Sequence, residues 1–232
     1  MNNSHYNSKV LSEQERREFC EQADRVISDF IDSINTLYNM HEKLSFEENE
    51  WFKKNEGILI NLRIFISYCY CDIIVLTKQL ILSTHYYEKA FTYGKLKVVL
   101  NESFKKLYGF SESAQHKSYF ARLKEVATHF PWLKDVLDTV SIDLEKECKG
   151  KTWWKEERDA EVHMDIEMLD RFRNEDIYES QVVQDVISIL DIFDRIDQFA
   201  STTHKAVNDY MDDLPTMLVF EFPDDSPTGS QV

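Results

Sequence analysis

Residues 58–82, ILINLRIFISYCYCDIIVLTKQLIL, decide the fold of this chain. Leu59, Leu62, Phe65, Ile66, Cys69, Ile73, Leu76 and Leu80 recur at steps of three and four, the period of a helix with one buried side. Ile60, Ile64, Tyr68, Tyr70, Cys71, Ile74 and Val75 add apolar positions between them, so the middle of the helix is apolar almost all round. A helix of that kind belongs at the centre of a bundle. Its apolarity also invites a membrane reading. Asn61, Arg63, Asp72, Lys78 and Gln79 interrupt the run, and polar groups of this kind are costly in a bilayer, so a buried helix is expected instead.

Working outward, Ser12 followed by Glu15 is a capping box that opens a long amphipathic helix. Phe19, Ala23, Val26, Ile27, Phe30, Ile31, Ile34, Leu37 and Tyr38 mark its predicted buried face. Ser45 followed by Glu48 repeats the capping pattern and predicts the start of the central helix, which then runs to about Ser83. A third helix is predicted over Tyr86 to Leu107, with Gly109 as its stop. Shorter ones follow over 111–130, ended by Pro131, and over 132–148, stopped by Gly150. A further helix over Thr152 to Met164 precedes a charged loop at 165–175. The last long helix runs from about Ile177 to Tyr210 through Val183, Val186, Ile187, Leu190, Phe193, Ile196 and Phe199.

The resulting organisation is a flexible N-terminus over 1–11, one all-α bundle domain over 12–212, and a mostly disordered acidic tail over 213–232. Within the tail, Leu214 to Phe222 is apolar enough to dock, and Met217 to Phe222 is the one stretch with a trace of strand alternation. Five Gly and four Pro in 232 residues leave few turns, which favours a handful of long elements.

The formal net charge of -15 repels phosphate backbones on average and argues against a general nucleic-acid binder; no DNA partner is expected. The most cationic stretch is Lys95, Lys97, Lys105, Lys106, Lys117, Arg122 and Lys124. Cys20, Cys69, Cys71 and Cys148 form no CxxC pair and read as reduced thiols. MNNSHYNSKV has no apolar core for a leader, and with no expected membrane association the chain is expected in the cytoplasm.

Several chemistries find no support in these residues. None of the seven histidines has Glu three residues before it, and HExxH and zinc-spaced Cys/His clusters are absent. Asp159, His163 and Glu167 have the spacing of ligands along one helix face, a cheap pattern in so acidic a segment, and no metal or other cofactor is expected. Phosphate-binding P-loop, GxGxxG and GxSxG patterns are missing as well. The pairs Trp153-Trp154 and Tyr86-Tyr87 read as helix-interface or dimer packing.

What remains is Arg158-Asp159-Ala160-Glu161-Val162-His163. Arginine is a permanent cation with a fork that fits phosphate, and histidine moves a proton near neutral pH. The spacing alone does not single it out, because Arg122 to His129 is a second match. There, however, His129 sits beside Phe130-Pro131 at a helix end, where a structural cap is the simple reading. RDAEVH is followed instead by a predicted loop and the final helix.

By this segment and its all-helical setting over roughly residues 12 to 210, the chain resembles the HEPN superfamily of small helical bundles. The family's motif is an arginine, a polar residue and, a few residues on, a histidine. Here Glu161 and Val162 precede the histidine, where many active members carry a small residue. The resemblance implies a metal-independent endoribonuclease of toxin or anti-phage type. His163 would be general acid or base at the ribose 2′-hydroxyl, Arg158 would hold the phosphate in the transition state, and Asp159 would orient the pair. It also implies a homodimer acting on RNA, with room for a cognate protein partner. The alternative is a non-catalytic HEPN-like interaction or scaffold module in a two-protein system. Glu156, Glu157, Asp159, Glu161, Asp165 and Glu167 favour that alternative, since carboxylates around His163 repel RNA and hold an arginine in salt bridges. Residues five apart on a straight helix point about 140° apart, so Arg158 and His163 need a bent stem or a second chain to reach one phosphate.

Overall fold

A computed structural model describes residues 11–109, 115–148 and 177–219 of the chain. Its centre is the apolar stretch, which forms the 33-residue helix α2 (Glu50–Leu82). Around it pack α1 (Glu13–Leu44), α3 (Tyr86–Leu107), the short α4 (Tyr119–Ala127) and the last helix, α6 (Glu179–Val219). A 3-10 turn over Pro131–Leu133 leads into α5 (Lys134–Cys148), which lies against α6. Among the described residues there is no strand, and the architecture is the expected all-α bundle.

Helix α2 is central because it has almost no polar side to show. Leu59, Leu62, Ile66, Ile73 and Leu80 are buried, joined from α3 by Leu96, Leu100 and Phe104, and from α6 by Ile189, Phe193 and Ile196. Each such side chain contributes on the order of 1.5–3 kcal/mol when fully removed from water. By length and composition α2 would pass for a membrane span, but 56% of its apolar window is buried inside the bundle, as befits a core helix.

The helix ends follow local chemistry. Ser12 caps α1 reciprocally with Glu15: the Glu15 N–H donates to the Ser12 hydroxyl at 3.2 Å, and the Ser12 N–H donates to the Glu15 carboxylate at 2.7 Å. The Ser12 N–H and then the Ser12 hydroxyl, which also donates to that carboxylate at 2.7 Å, hold the Glu15 carboxyl below its ordinary value. Gly109 ends α3 with φ 86°, a left-handed conformation that glycine adopts without a Cβ clash. There the N–H groups of Tyr108 and Gly109 both donate to the Phe104 carbonyl.

Some expectations need correction. Ser45 does not cap α2: it closes α1, its hydroxyl donating to the Glu42 carbonyl, and Asn49 is the cap, accepting from the Phe52 N–H at 3.0 Å. An amide oxygen one residue before the first helical turn outcompetes a hydroxyl already used by the preceding helix. The helix predicted over 111–130 is broken: Gln115 is helical, 116–118 form a turn, and Ser118 caps a separate helix over Tyr119–Ala127. Helix α6 runs beyond Tyr210 to Val219, through Pro215, and Met217 to Val219 are helical rather than extended.

A second group of corrections concerns burial. Ile31, Tyr38 and Ile187, expected on buried faces, are 49%, 46% and 53% exposed, and Tyr86 and Tyr87 are exposed too. Helix α1 has α2 as its main neighbour, so only the stripe Ala23, Ile34, Leu37 and Leu44 is fully covered. Phe19, Val26, Ile27 and Phe30 are half-buried against the core, while Ile31 and Tyr38 face outward.

Candidate functional site

Arg158, Asp159 and His163 lie outside the described residues, as do Trp153, Trp154, Glu167, Gly150 and the 165–175 loop. The structure describes what flanks that segment: the end of α5 and the start of α6. The latter is fixed by an ion-pair knot around Glu179, in the first turn of α6. The Glu179 side chain is 1% exposed, and its two carboxylate oxygens accept from the Arg16 guanidinium at 3.0 and 3.1 Å. The Lys89 ammonium and the Leu11 N–H donate to the same carboxylate. Three elements that are far apart in sequence thus meet on one buried acid: the entry to α1, the first turn of α3, and α6. A carboxylate at a helix N-terminus also faces the positive end of the helix dipole. The chain leaving the RDAEVH segment therefore enters the bundle at a rigid point.

A second polar cluster ties α6 to the N-terminal half of α2. Glu56 is buried, and its Oε1 stands 2.6 Å from Nδ1 of His204. The approach lacks hydrogen-bond alignment, and Glu56 Oε2 has no partner. Glu56 also lines a groove of about 200 Å³ with Lys43, Glu47 and Asn208. A carboxylate facing one imidazole nitrogen leaves the other for proton transfer, so this pair has the chemical make-up of an acid–base dyad. Its position, clamping two core helices, is that of a structural ion pair. The sequence reading missed it because nothing in the spacing of two residues so far apart announces their contact.

The second arginine–histidine match separates into structural roles. Arg122 is exposed on α4, and His129, beyond the end of that helix, meets the Trp51 ring edge-on at 5.6 Å between centroids. Much of the cationic stretch is taken up locally. Lys97 is buried over the Tyr93 ring at 4.2 Å, Lys95 and Lys124 lie over Phe91 and Phe120, and Lys105 stands 3.8 Å from Glu102. Cation–π contacts of this sort fix where the ammonium groups lie but leave their charge in place. Among the described residues no three His, Cys, Asp or Glu side chains gather as a metal site. Cys20, Cys69 and Cys71 are free thiols, and burial pushes Cys69 up to about 11.

No family model, no curated protein and no solved structure matches this chain.

Proposed function

We propose that this chain is a HEPN-like, metal-independent endoribonuclease of toxin or anti-phage type, acting in the cytoplasm as a homodimer. The observation that carries the reading is the place of RDAEVH in the chain, before the final long helix of an all-α bundle. The Glu179 knot supports it, because a site built on a connecting segment needs at least one end held rigidly. In the reaction, His163 takes the proton of a ribose 2′-hydroxyl as that oxygen forms a bond to the adjacent phosphorus. The bond from phosphorus to the 5′-oxygen breaks, and the departing oxygen takes up a proton. A 2′,3′-cyclic phosphate and a 5′-hydroxyl remain. Arg158 neutralises the charge that grows on the non-bridging oxygens, and Asp159 orients the pair. The nucleophile belongs to the substrate, so no metal is required to generate it.

The second reading, a non-catalytic HEPN-like module that binds a cognate protein, is favoured by the carboxylates crowded around His163 and by the apolar residues exposed along α1 and α2. One experiment separates the two. Wild type, Arg158→Ala and His163→Ala are compared for cleavage of total RNA in EDTA and for growth inhibition on expression. The ribonuclease reading expects EDTA-resistant cleavage leaving cyclic-phosphate ends, reduced at least 100-fold by either substitution. Absence of cleavage by wild type, or cleavage indifferent to both substitutions, leaves the module.

A further inference from the structure

Charge is spread unevenly along this chain. Residues 105–124 hold five Lys and Arg against one acid, Glu112, while the rest of the protein holds 22 against 41. The fold keeps these cations together. Lys105 and Lys106 stand in the last turn of α3, Lys117 just before α4, and Arg122 and Lys124 on α4. The end of α3 is held against α4 by the Tyr108 and Phe120 rings, stacked with centroids 5.8 Å apart. Lys124 reaches over the Phe120 ring at 5.5 Å and so joins the same junction. All five cations are exposed, and among the described residues Lys106, Lys117 and Arg122 form no ion pair. Lys105 meets Glu102 at 3.8 Å on the surface, where a pair holds loosely, and a cation over a ring keeps its charge. The face is a positive patch on a strongly negative protein.

A groove of about 400 Å³ lies at this junction. Lys124 lines it together with Tyr108, Gln115, His116 and Thr128, and Glu125 alone among its lining residues is acidic. Cations that follow a phosphate backbone, set beside rings on which bases stack, are the make-up of a site for single-stranded nucleic acid. Tyr108 and His116 supply such rings. The Gln115 amide both donates and accepts, as a base edge or a ribose hydroxyl requires. A duplex keeps its bases inside the stack and cannot use the rings. An acidic peptide would use the cations and leave the rings idle.

We infer that this α3–α4 face binds single-stranded RNA, with its cations on the phosphates and the Tyr108 and His116 rings against bases. The choice of RNA rests on the ribonuclease reading of the preceding section. The inference adds to that reading a surface that holds the substrate, made of residues other than Arg158 and His163. A net charge of -15 repels a nucleic acid from most of the molecule, so a local excess of cations also orients the strand on approach.

The test uses the full chain carrying His163→Ala, so that the probe is not consumed, and a short fluorescein-labelled single-stranded RNA followed by anisotropy. Added to that chain, Lys117→Glu with Lys124→Glu should weaken binding more than about tenfold. The slope of log Kd against log salt should fall by about 1.4, the equivalent of two single-strand phosphate contacts. Arg17→Glu with Arg25→Glu, an equal change of net charge on α1, should weaken binding less than about threefold. His116→Ala should weaken it about fivefold through lost stacking. Circular dichroism confirms that each variant folds. DNA of the same sequence should bind more weakly. Failure to bind RNA, equal losses from the two charge-reversed pairs, or equal binding of DNA overturns the inference. So does displacement of the RNA by polyglutamate as readily as by unlabelled RNA, which would mark the face as a dock for an acidic protein. RNA bound here but never cleaved by wild type removes the nuclease reading and keeps this surface. Cleavage of dilute RNA indifferent to Lys117→Glu with Lys124→Glu does the reverse.

Discussion

Replacing Glu179 with alanine should be among the most destabilising single changes in this chain. The buried carboxylate is the shared counter-charge of Arg16 and Lys89 and also accepts the Leu11 N–H. Its removal leaves two like charges side by side and a buried amide without an acceptor. Breaking a buried pair from one side costs about 3–5 kcal/mol. The Arg16 and Lys89 side chains are 25% and 20% exposed and regain some hydration, which argues for the lower end of that range. A loss of about 3 kcal/mol corresponds to a fall of roughly 6–12 °C in melting temperature for a domain of this size. Thermal and urea unfolding of the full chain measure it. The order of effects matters as much as the size. Arg16→Ala and Lys89→Ala should each cost clearly less than Glu179→Ala, because either leaves the carboxylate with one cation. A Glu179→Ala variant within about 1 kcal/mol of wild type, or an arginine or lysine variant costing more than it, would refute the account of the knot as a single shared acid.

Gly57 lies inside α2, and a Cβ built there meets nothing within 4 Å. Gly57→Ala should therefore stabilise the chain by about 0.5–1 kcal/mol in the same unfolding assay, and a loss of stability would mean that the residue serves something other than its own helix. Cys69 supplies a pH test. Burial raises its thiol from the ordinary 9.0 to about 11, so the protonated form is favoured by folding. The stability gained in this way is complete below pH 9 and disappears as pH rises through about 11. Iodoacetamide labelling followed by mass spectrometry should find Cys69 almost unreactive at pH 8 in the folded chain and ordinary in urea; equal rates in both states would contradict its burial.

What the sequence determined by itself was the architecture. An apolar stretch with three-and-four periodicity, a capping box at Ser12 and a glycine at 109 are local signals, written within a few residues of where they act. They sufficed for an all-α bundle around α2. They also place RDAEVH in the helical pattern that precedes the final one. Helix boundaries that turned on competition between neighbouring caps, as at Ser45 and Asn49, were legible only in part. The losing hydroxyl had already been claimed by the previous helix.

Tertiary structure alone decided which apolar residues are covered. Periodicity states that Ile31 and Tyr38 share a face with Ile34 and Leu37, but not how many neighbours that face will have. Helix α1 received one main neighbour, so a stripe narrower than its apolar face was fully buried, its flanks were half covered, and Ile31 and Tyr38 were left exposed. The same holds for the polar clusters. Glu179 meets Arg16 and Lys89, and Glu56 meets His204, across separations that no local pattern records. A carboxylate is ordinary at the surface and costly in the core, and only the packing of three or four helices determines which of the two it becomes.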